Sequence, residues 1–85
     1  LRMFRYQFSP FIAYFQSNRI DDLLVLTDYA LGITEKSEEA WLWKGWGLYR
    51  KGDYGGAIAA WRKALDIHPG YADALYALSF VGATP

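Results

Sequence analysis

Residues 38–69, with the sequence EEAWLWKGWGLYRKGDYGGAIAAWRKALDIHP, decide the fold of this 85-residue chain. The stretch contains two helical patterns joined by a tight turn, RKGDYG at residues 50–55, and it ends at a proline. Large and small residues alternate along it at helical spacing: Trp41, Gly45, Ala57, Trp61, Ala64 and Pro69. Because large side chains fill space and small ones permit close approach, this pattern predicts two closely crossing helices on which a third can dock.

Capping signals predict the ends of these two helices. Ser37 is followed by two glutamates, which marks a helix start, since serine accepts from free backbone N–H groups and carboxylates suit the positive end of the helix dipole. That helix should run to about residues 50–51, and the next should begin after Asp53 and end at residues 68–69. Close helix approach is a sufficient reason for Gly45 in the first helix, whereas the sequence offers no reason for Gly47.

Weaker signals predict one helical pair before this stretch and a single helix after it. Ser9 and Pro10 mark the start of a helix, and the acidic residues 21–22 mark the first turn of a second, which should end near Gly32. A last helix should run from residues 71–73 to residues 80–81. We therefore expect a single domain with four parts: an extension or short helix at 1–9, a first hairpin at 10–34, a second hairpin at 38–70 and a capping helix at 71–82.

The large and small residues of the second hairpin resemble the tetratricopeptide repeat, a helix-turn-helix unit of about 34 residues. The first hairpin resembles a degenerate copy, because Ala30 precedes Ala64 by 34 residues but Thr27 stands where the later copy has Trp61. The resemblance implies an all-α fold, in which about five helices form antiparallel helix-turn-helix repeats stacked in a right-handed superhelix.

Composition argues against several function classes. Formal net charge is zero, so no long-range field attracts nucleic acid or an anionic membrane. The chain has no cysteine and a single histidine, His68, whose position at a helix end fits dipole compensation better than catalysis. We therefore expect no catalytic residue, metal or other cofactor. We also expect a soluble protein; the absence of cysteine leaves its compartment undetermined, with the cytoplasm slightly favoured.

Aromatic residues make up 19% of the chain, and they are the best guide to function. Trp41 and Trp61 occupy positions that predict a core. The other large side chains of the same helix as Trp41 point in further directions: Leu42, Trp43, Trp46 and Tyr49. One helix cannot direct all of them into one seam, so at least one large ring should face a neighbour or a partner.

The resemblance implies where such a partner would lie, since the first helix of each repeat lines a concave groove that holds an extended peptide. The matching positions here are the predicted partner-binding residues: Leu42, Trp43, Trp46, Tyr49, Arg50, Asp73, Tyr76, Phe80, Ile12 and Phe15. A family variant grips a peptide's terminal carboxylate with lysine, asparagine and arginine at positions that here hold Phe8, Ile12, Trp43, Asp73 and Ala77. None matches, so we expect no recognition of that kind.

Several uses of this surface remain open at the level of sequence. The groove could bind a hydrophobic or proline-containing segment of another protein, or it could be covered by a second copy in a homodimer or by another part of a longer protein. Residues 1–8 could also fold back and fill it as plain core. Single-stranded RNA is a remote alternative. A first residue other than methionine suggests a mature form or a fragment, in which this domain would be an accessory scaffold of a larger protein.

Overall fold

The computed structural model describes residues 10–84, and this part of the chain is all helical apart from its turns. Five α-helices follow one another in it: α1 (Pro10–Gln16), α2 (Ile20–Ile33), α3 (Glu38–Arg50), α4 (Tyr54–Ile67) and α5 (Ala72–Phe80). Successive helices pack against one another, and α1 also touches α3. The all-α prediction is confirmed, with α2 continuing one residue past Gly32.

Local hydrogen bonds explain where α3 and α4 begin. The hydroxyl of Ser37 accepts from the backbone N–H of Ala40 at 3.2 Å, and the carboxylate of Asp53 accepts from the backbone N–H of Gly56 at 3.0 Å. Between them, Gly52 adopts a φ of +88°, a conformation that favours glycine over any residue with a Cβ. The predicted cap and turn of this hairpin are therefore confirmed.

Trp61 is the centre of the α3–α4 hairpin. Its side chain is fully buried, and a Cβ built on Gly45 would overlap the indole ring. The indole N–H donates to the backbone carbonyl of Leu42 at 3.1 Å, which satisfies the polar atom of a buried ring. Ala57 and Ala64 are fully buried in the same cluster, so the predicted close packing of small residues with Trp61 is confirmed.

Gly47, for which the sequence offered no reason, faces the neighbouring hairpin. A Cβ at this position would lie 2.8 Å from Cδ2 of Leu24 on α2. The two glycines of α3 thus serve different contacts, since Gly45 admits Trp61 from α4 and Gly47 admits Leu24 from α2. At the surface, α2 is joined to α3 by an ion pair of Lys44 with Asp28 at 2.9 Å, and to the residue after α3 by an ion pair of Lys51 with Asp21 at 2.7 Å.

One prediction about a packed position needs correction. Trp41 was expected in the core, but it is only partly buried, and its indole N–H donates to the backbone carbonyl of Glu35 at 2.9 Å. The predictions for residues 1–9, including the cap at Ser9, lie outside the described residues.

Candidate binding groove

A cavity of about 430 Å³ opens between the first helix of each hairpin and the last helix. Its lining comes from α1, α3 and α5, and we call it the aromatic groove; its residues are Ile12, Phe15, Leu42, Trp43, Trp46, Asp73 and Tyr76. All seven belong to the set predicted from the sequence. The structure therefore brings together residues that are up to 64 positions apart in the chain.

Helix α3 forms the middle of the aromatic groove. Leu42 is 2% exposed and forms part of the floor, while its carbonyl is occupied by the N–H of Trp61. Trp43 and Trp46 are partly buried and lie one turn apart along the helix. The side chains of α3 thus reach both the core and the groove, which is why one helical seam could not bury them all.

Ring contacts connect the groove to the core. The Phe15 ring lies 5.4 Å from that of Trp43 and 6.3 Å from that of Trp46, measured between centroids. Trp46 in turn packs edge-on against Trp61 at 4.9 Å. Aromatic pairs at these distances prefer tilted arrangements over face-to-face stacks. Trp46 therefore supports the domain as well as lining the groove.

Three of the predicted residues lie beside the aromatic groove and do not line it. Tyr49 and Phe80 line a neighbouring cavity of about 390 Å³, and their ring centroids are 5.7 Å apart. Arg50 is exposed, and its guanidinium donates to the side-chain oxygen of Asn18 at 2.6 Å and lies 5.2 Å from the Phe15 ring centroid. Arg50 thus links the end of α3 to the turn after α1.

Sequence reasoning missed the other residues of the neighbouring cavity: Tyr54, Ile58 and Val81. The Tyr54 ring lies 5.3 Å from that of Tyr49, although Tyr54 belongs to the second helix of its hairpin. A tyrosine at the start of a helix, directly after a glycine turn, was the available signal. Whether Tyr54 reaches Tyr49 depends on the angle between α3 and α4, and the spacing of residues in the sequence does not give that angle.

The described lining of the aromatic groove contains one charged side chain. Asp73 is the one carboxylate in its described lining, and no lysine, arginine or histidine of the described chain lines it. The indole N–H of Trp43 is buried and has no hydrogen-bond partner among the described residues. An unsatisfied donor of this kind costs about 1–3 kcal/mol, so ring packing has to hold Trp43 in place.

The single histidine of the chain lies outside the lining of the aromatic groove. His68 is half exposed, stacks on Tyr71 at 5.2 Å and lies 3.9 Å from the carboxylate of Glu38. Within residues 10–84, no three His, Cys, Asp or Glu side chains come together as a possible metal site. None of the described helices has the length and apolar character that crossing a membrane requires.

Comparison with known protein families gives a match in the C-terminal part of the chain. The family model of the TPR repeat matches residues 47–81, which include the end of α3, all of α4 and α5. No curated protein matches the chain. The match covers the part of the chain in which Trp61, Ala64 and Pro69 follow the turn.

Proposed function

From the match of residues 47–81 to the family model of the TPR repeat, we propose that the chain binds an extended apolar peptide segment of another protein in the aromatic groove. Repeats of this family generally act as protein-interaction scaffolds. The proposal assigns the peptide to the face formed by α1, α3 and α5. It assigns no catalytic step to the chain.

The observation that carries the proposal is the convergence of apolar side chains from three helices on one cavity. Phe15, Trp43 and Tyr76 come from α1, α3 and α5, so no single amphipathic stripe accounts for them. Aromatic rings supply large contact areas at low entropic cost, and burial of one large apolar side chain contributes about 1.5–3 kcal/mol.

Tyr76 is the cleanest probe of this groove. Its side chain is 65% exposed, so its truncation should leave the fold intact, whereas Trp46 also packs on Trp61. Tyr29 on α2 is a matched control, because it is a tyrosine with 68% exposure that does not line the groove.

The test is a selection of random phage-displayed peptides on the whole chain, followed by calorimetric titration of the selected peptides. We expect apolar or aromatic peptides whose affinity falls about tenfold or more with Tyr76→Ala, as for an interface anchor worth about 1.4 kcal/mol or more. Tyr29→Ala should leave their affinity unchanged. Selected peptides that bind Tyr76→Ala and wild type equally would contradict the assignment of the groove.

A specific observation favours self-association as a second candidate function. Val25, Tyr29 and Ile33 are 68–70% exposed and follow one another at four-residue intervals on α2; we call them the α2 stripe. Two copies of such a stripe could pair across a two-fold axis, in which each patch faces its own equivalent. Sedimentation velocity over a wide concentration range would reveal a dimer, and Tyr29→Lys should abolish it while Tyr76→Lys should not.

A further inference from the structure

We propose that the aromatic groove and the neighbouring cavity together bind one polyproline II segment, in which two prolines three residues apart each occupy one of them. The inference rests on the proposed function, because it assigns a conformation and an anchor spacing to the peptide bound in the groove. Three features lead to it: the ring contacts between the two cavities, the distance between them and the polar groups of their linings.

Ring contacts connect the two cavities. The ring centroid of Trp46, in the aromatic groove, lies 5.9 Å from that of Tyr49 and 5.7 Å from that of Phe80, and these two residues line the neighbouring cavity. The ring of Tyr76, also in the groove, stacks on that of Phe80 at 6.4 Å. A peptide that runs past Trp46 and Tyr76 therefore reaches the neighbouring cavity next.

Helix α3 sets the distance between the two cavities. Tyr49 in the neighbouring cavity follows Trp43 in the groove by six residues, and six residues of α-helix rise about 9 Å. A polyproline II segment has three residues per turn and rises about 3.1 Å per residue, so side chains three residues apart share one face at about 9 Å. In a β-strand, side chains on one face recur at about 7 Å and then at about 13 Å. The spacing of the cavities therefore matches polyproline II.

Polyproline II also suits a surface without a strand edge. Residues 10–84 contain helices and turns and no strand, so this part of the chain offers no row of backbone N–H and C=O groups to which an extended peptide could add. A polyproline II segment has no internal hydrogen bonds and keeps its backbone in water. Side chains alone can therefore hold it, and little entropy is lost because the conformation is already formed in the free peptide.

The polar groups of the linings favour proline as the anchor residue. The indole N–H of Trp46 can only donate, and it makes no hydrogen bond to another described residue, whereas those of Trp41 and Trp61 do. The neighbouring cavity has the hydroxyls of Tyr49 and Tyr54 and no charged side chain in its described lining. A proline brings a carbonyl that accepts from such donors, and it has no N–H that the rings would leave unsatisfied.

The test compares three end-blocked peptides of one composition, in which two prolines in a chain of alanines stand two, three or four residues apart. Binding is followed by NMR through the indole N–H of Trp46 and the backbone amides of Tyr54 and Phe80. We expect the peptide with prolines three apart to bind about tenfold more tightly than either isomer, which corresponds to one further anchor worth about 1.4 kcal/mol. That peptide should shift all three signals.

Tyr54→Ala separates the neighbouring cavity from the aromatic groove. Tyr54 lines the neighbouring cavity and not the groove, and it is 57% exposed, so its truncation should leave the fold intact. The variant should bind the peptide with prolines three apart about tenfold more weakly, at the level of the isomers. Tyr29→Ala, which lies outside both linings, is the matched control and should leave all three affinities unchanged. A thermal melt checks that each variant is folded.

Equal affinities of the three isomers would overturn the inference, as would unchanged signals at millimolar concentrations of all three. Phage-selected peptides that lose affinity with Tyr76→Ala but not with Tyr54→Ala would overturn it too, since the neighbouring cavity would then hold no part of the ligand. Each of these results leaves the proposed function standing if the selected peptides still depend on Tyr76. Loss of the proposed function would appear differently, as selected peptides that are indifferent to Tyr76.

Discussion

The two helical hairpins of this chain differ in which helix supplies the large buried side chain. In the α3–α4 hairpin, Gly45 lies on the first helix and the fully buried Trp61 on the second. The positions 34 residues earlier hold Phe11 on α1, which is 8% exposed, and Thr27 on α2, which is fully buried. The large buried residue thus lies on the second helix of the α3–α4 hairpin, but on the first helix of the α1–α2 hairpin. The first hairpin therefore keeps buried residues at these positions, although its sequence differs from that of the second.

The two hairpins also differ in the hydrogen bonds that Trp61 and Thr27 make. Trp61 reaches across to α3 with its N–H, whereas the hydroxyl of Thr27 donates to the carbonyl of Leu24 in its own helix at 3.0 Å. The α3–α4 hairpin thus has a side-chain hydrogen bond between its two helices at this position, and Thr27 supplies none to α1. We expect the second hairpin to depend more strongly on single residues than the first.

The largest effect should come from Trp61→Ala. Removal of this buried ring should cost about 3–5 kcal/mol, a large fraction of the free energy of unfolding of a domain this size. Urea denaturation followed by circular dichroism measures the loss. Thr27→Ala is the corresponding change in the first hairpin and should cost about 1–2 kcal/mol, since it removes little volume. Equal losses for the two variants would remove the basis of the comparison.

The next effect separates two helical glycines. Gly45→Ala should destabilise the domain by about 1–3 kcal/mol, because the new methyl group overlaps the buried Trp61 ring and outweighs the better helix propensity of alanine. Gly32→Ala on α2 should stabilise it by about 0.5–1 kcal/mol, since no atom lies within 4 Å of the added Cβ. Thermal denaturation of both variants gives the signs. Stabilisation by Gly45→Ala would mean that α3 and α4 do not pack closely at Gly45.

A smaller effect is expected at the helix caps. The hydroxyl of Ser37 caps α3, whereas Arg19 at the start of α2 makes no side-chain hydrogen bond of this kind. Ser37→Ala should therefore cost about 1 kcal/mol in urea denaturation. Ser37→Asp retains a capping oxygen and should restore most of the loss; a variant that remains as unstable as Ser37→Ala would show that capping is not the cause.

The smallest effect should come from the ion pair between the hairpins. Asp28 is 61% exposed in its contact with Lys44, and exposed pairs contribute about 0–1 kcal/mol. A double-mutant cycle of Asp28→Asn and Lys44→Met should therefore give a coupling free energy below 1 kcal/mol that falls further in high salt. A coupling of several kcal/mol would show that the two hairpins are held together by charge rather than by the contact of Gly47 with Leu24.

The contacts inside the second hairpin were predictable from the sequence, because they depend on spacing along adjacent helices. Ser37, Gly45 and Trp61 all behave as their positions indicate. Contacts between hairpins were less accessible, since they depend on the angle at which one hairpin meets the next. That angle places Leu24 against Gly47, which no periodicity in the sequence marks.

The candidate groove shows the same division. Its seven lining residues were all among the predicted positions, because repeat spacing places equivalent residues of α1, α3 and α5 on one face. The sequence did not predict where the other three residues lie: Tyr49 and Phe80 line a separate cavity, and Arg50 donates a hydrogen bond to Asn18. Each of these depends on a neighbour whose position only the tertiary structure supplies.

The measurement that tests the central claim most directly is the NMR titration of the four tryptophan indole N–H signals with a peptide obtained by selection. We predict that Trp43 and Trp46 shift most, since both line the aromatic groove, and that Trp41, which does not, shifts least. Unchanged signals of Trp43 and Trp46, with shifts confined to the backbone amides of α2, would contradict the account and place the partner on the α2 stripe.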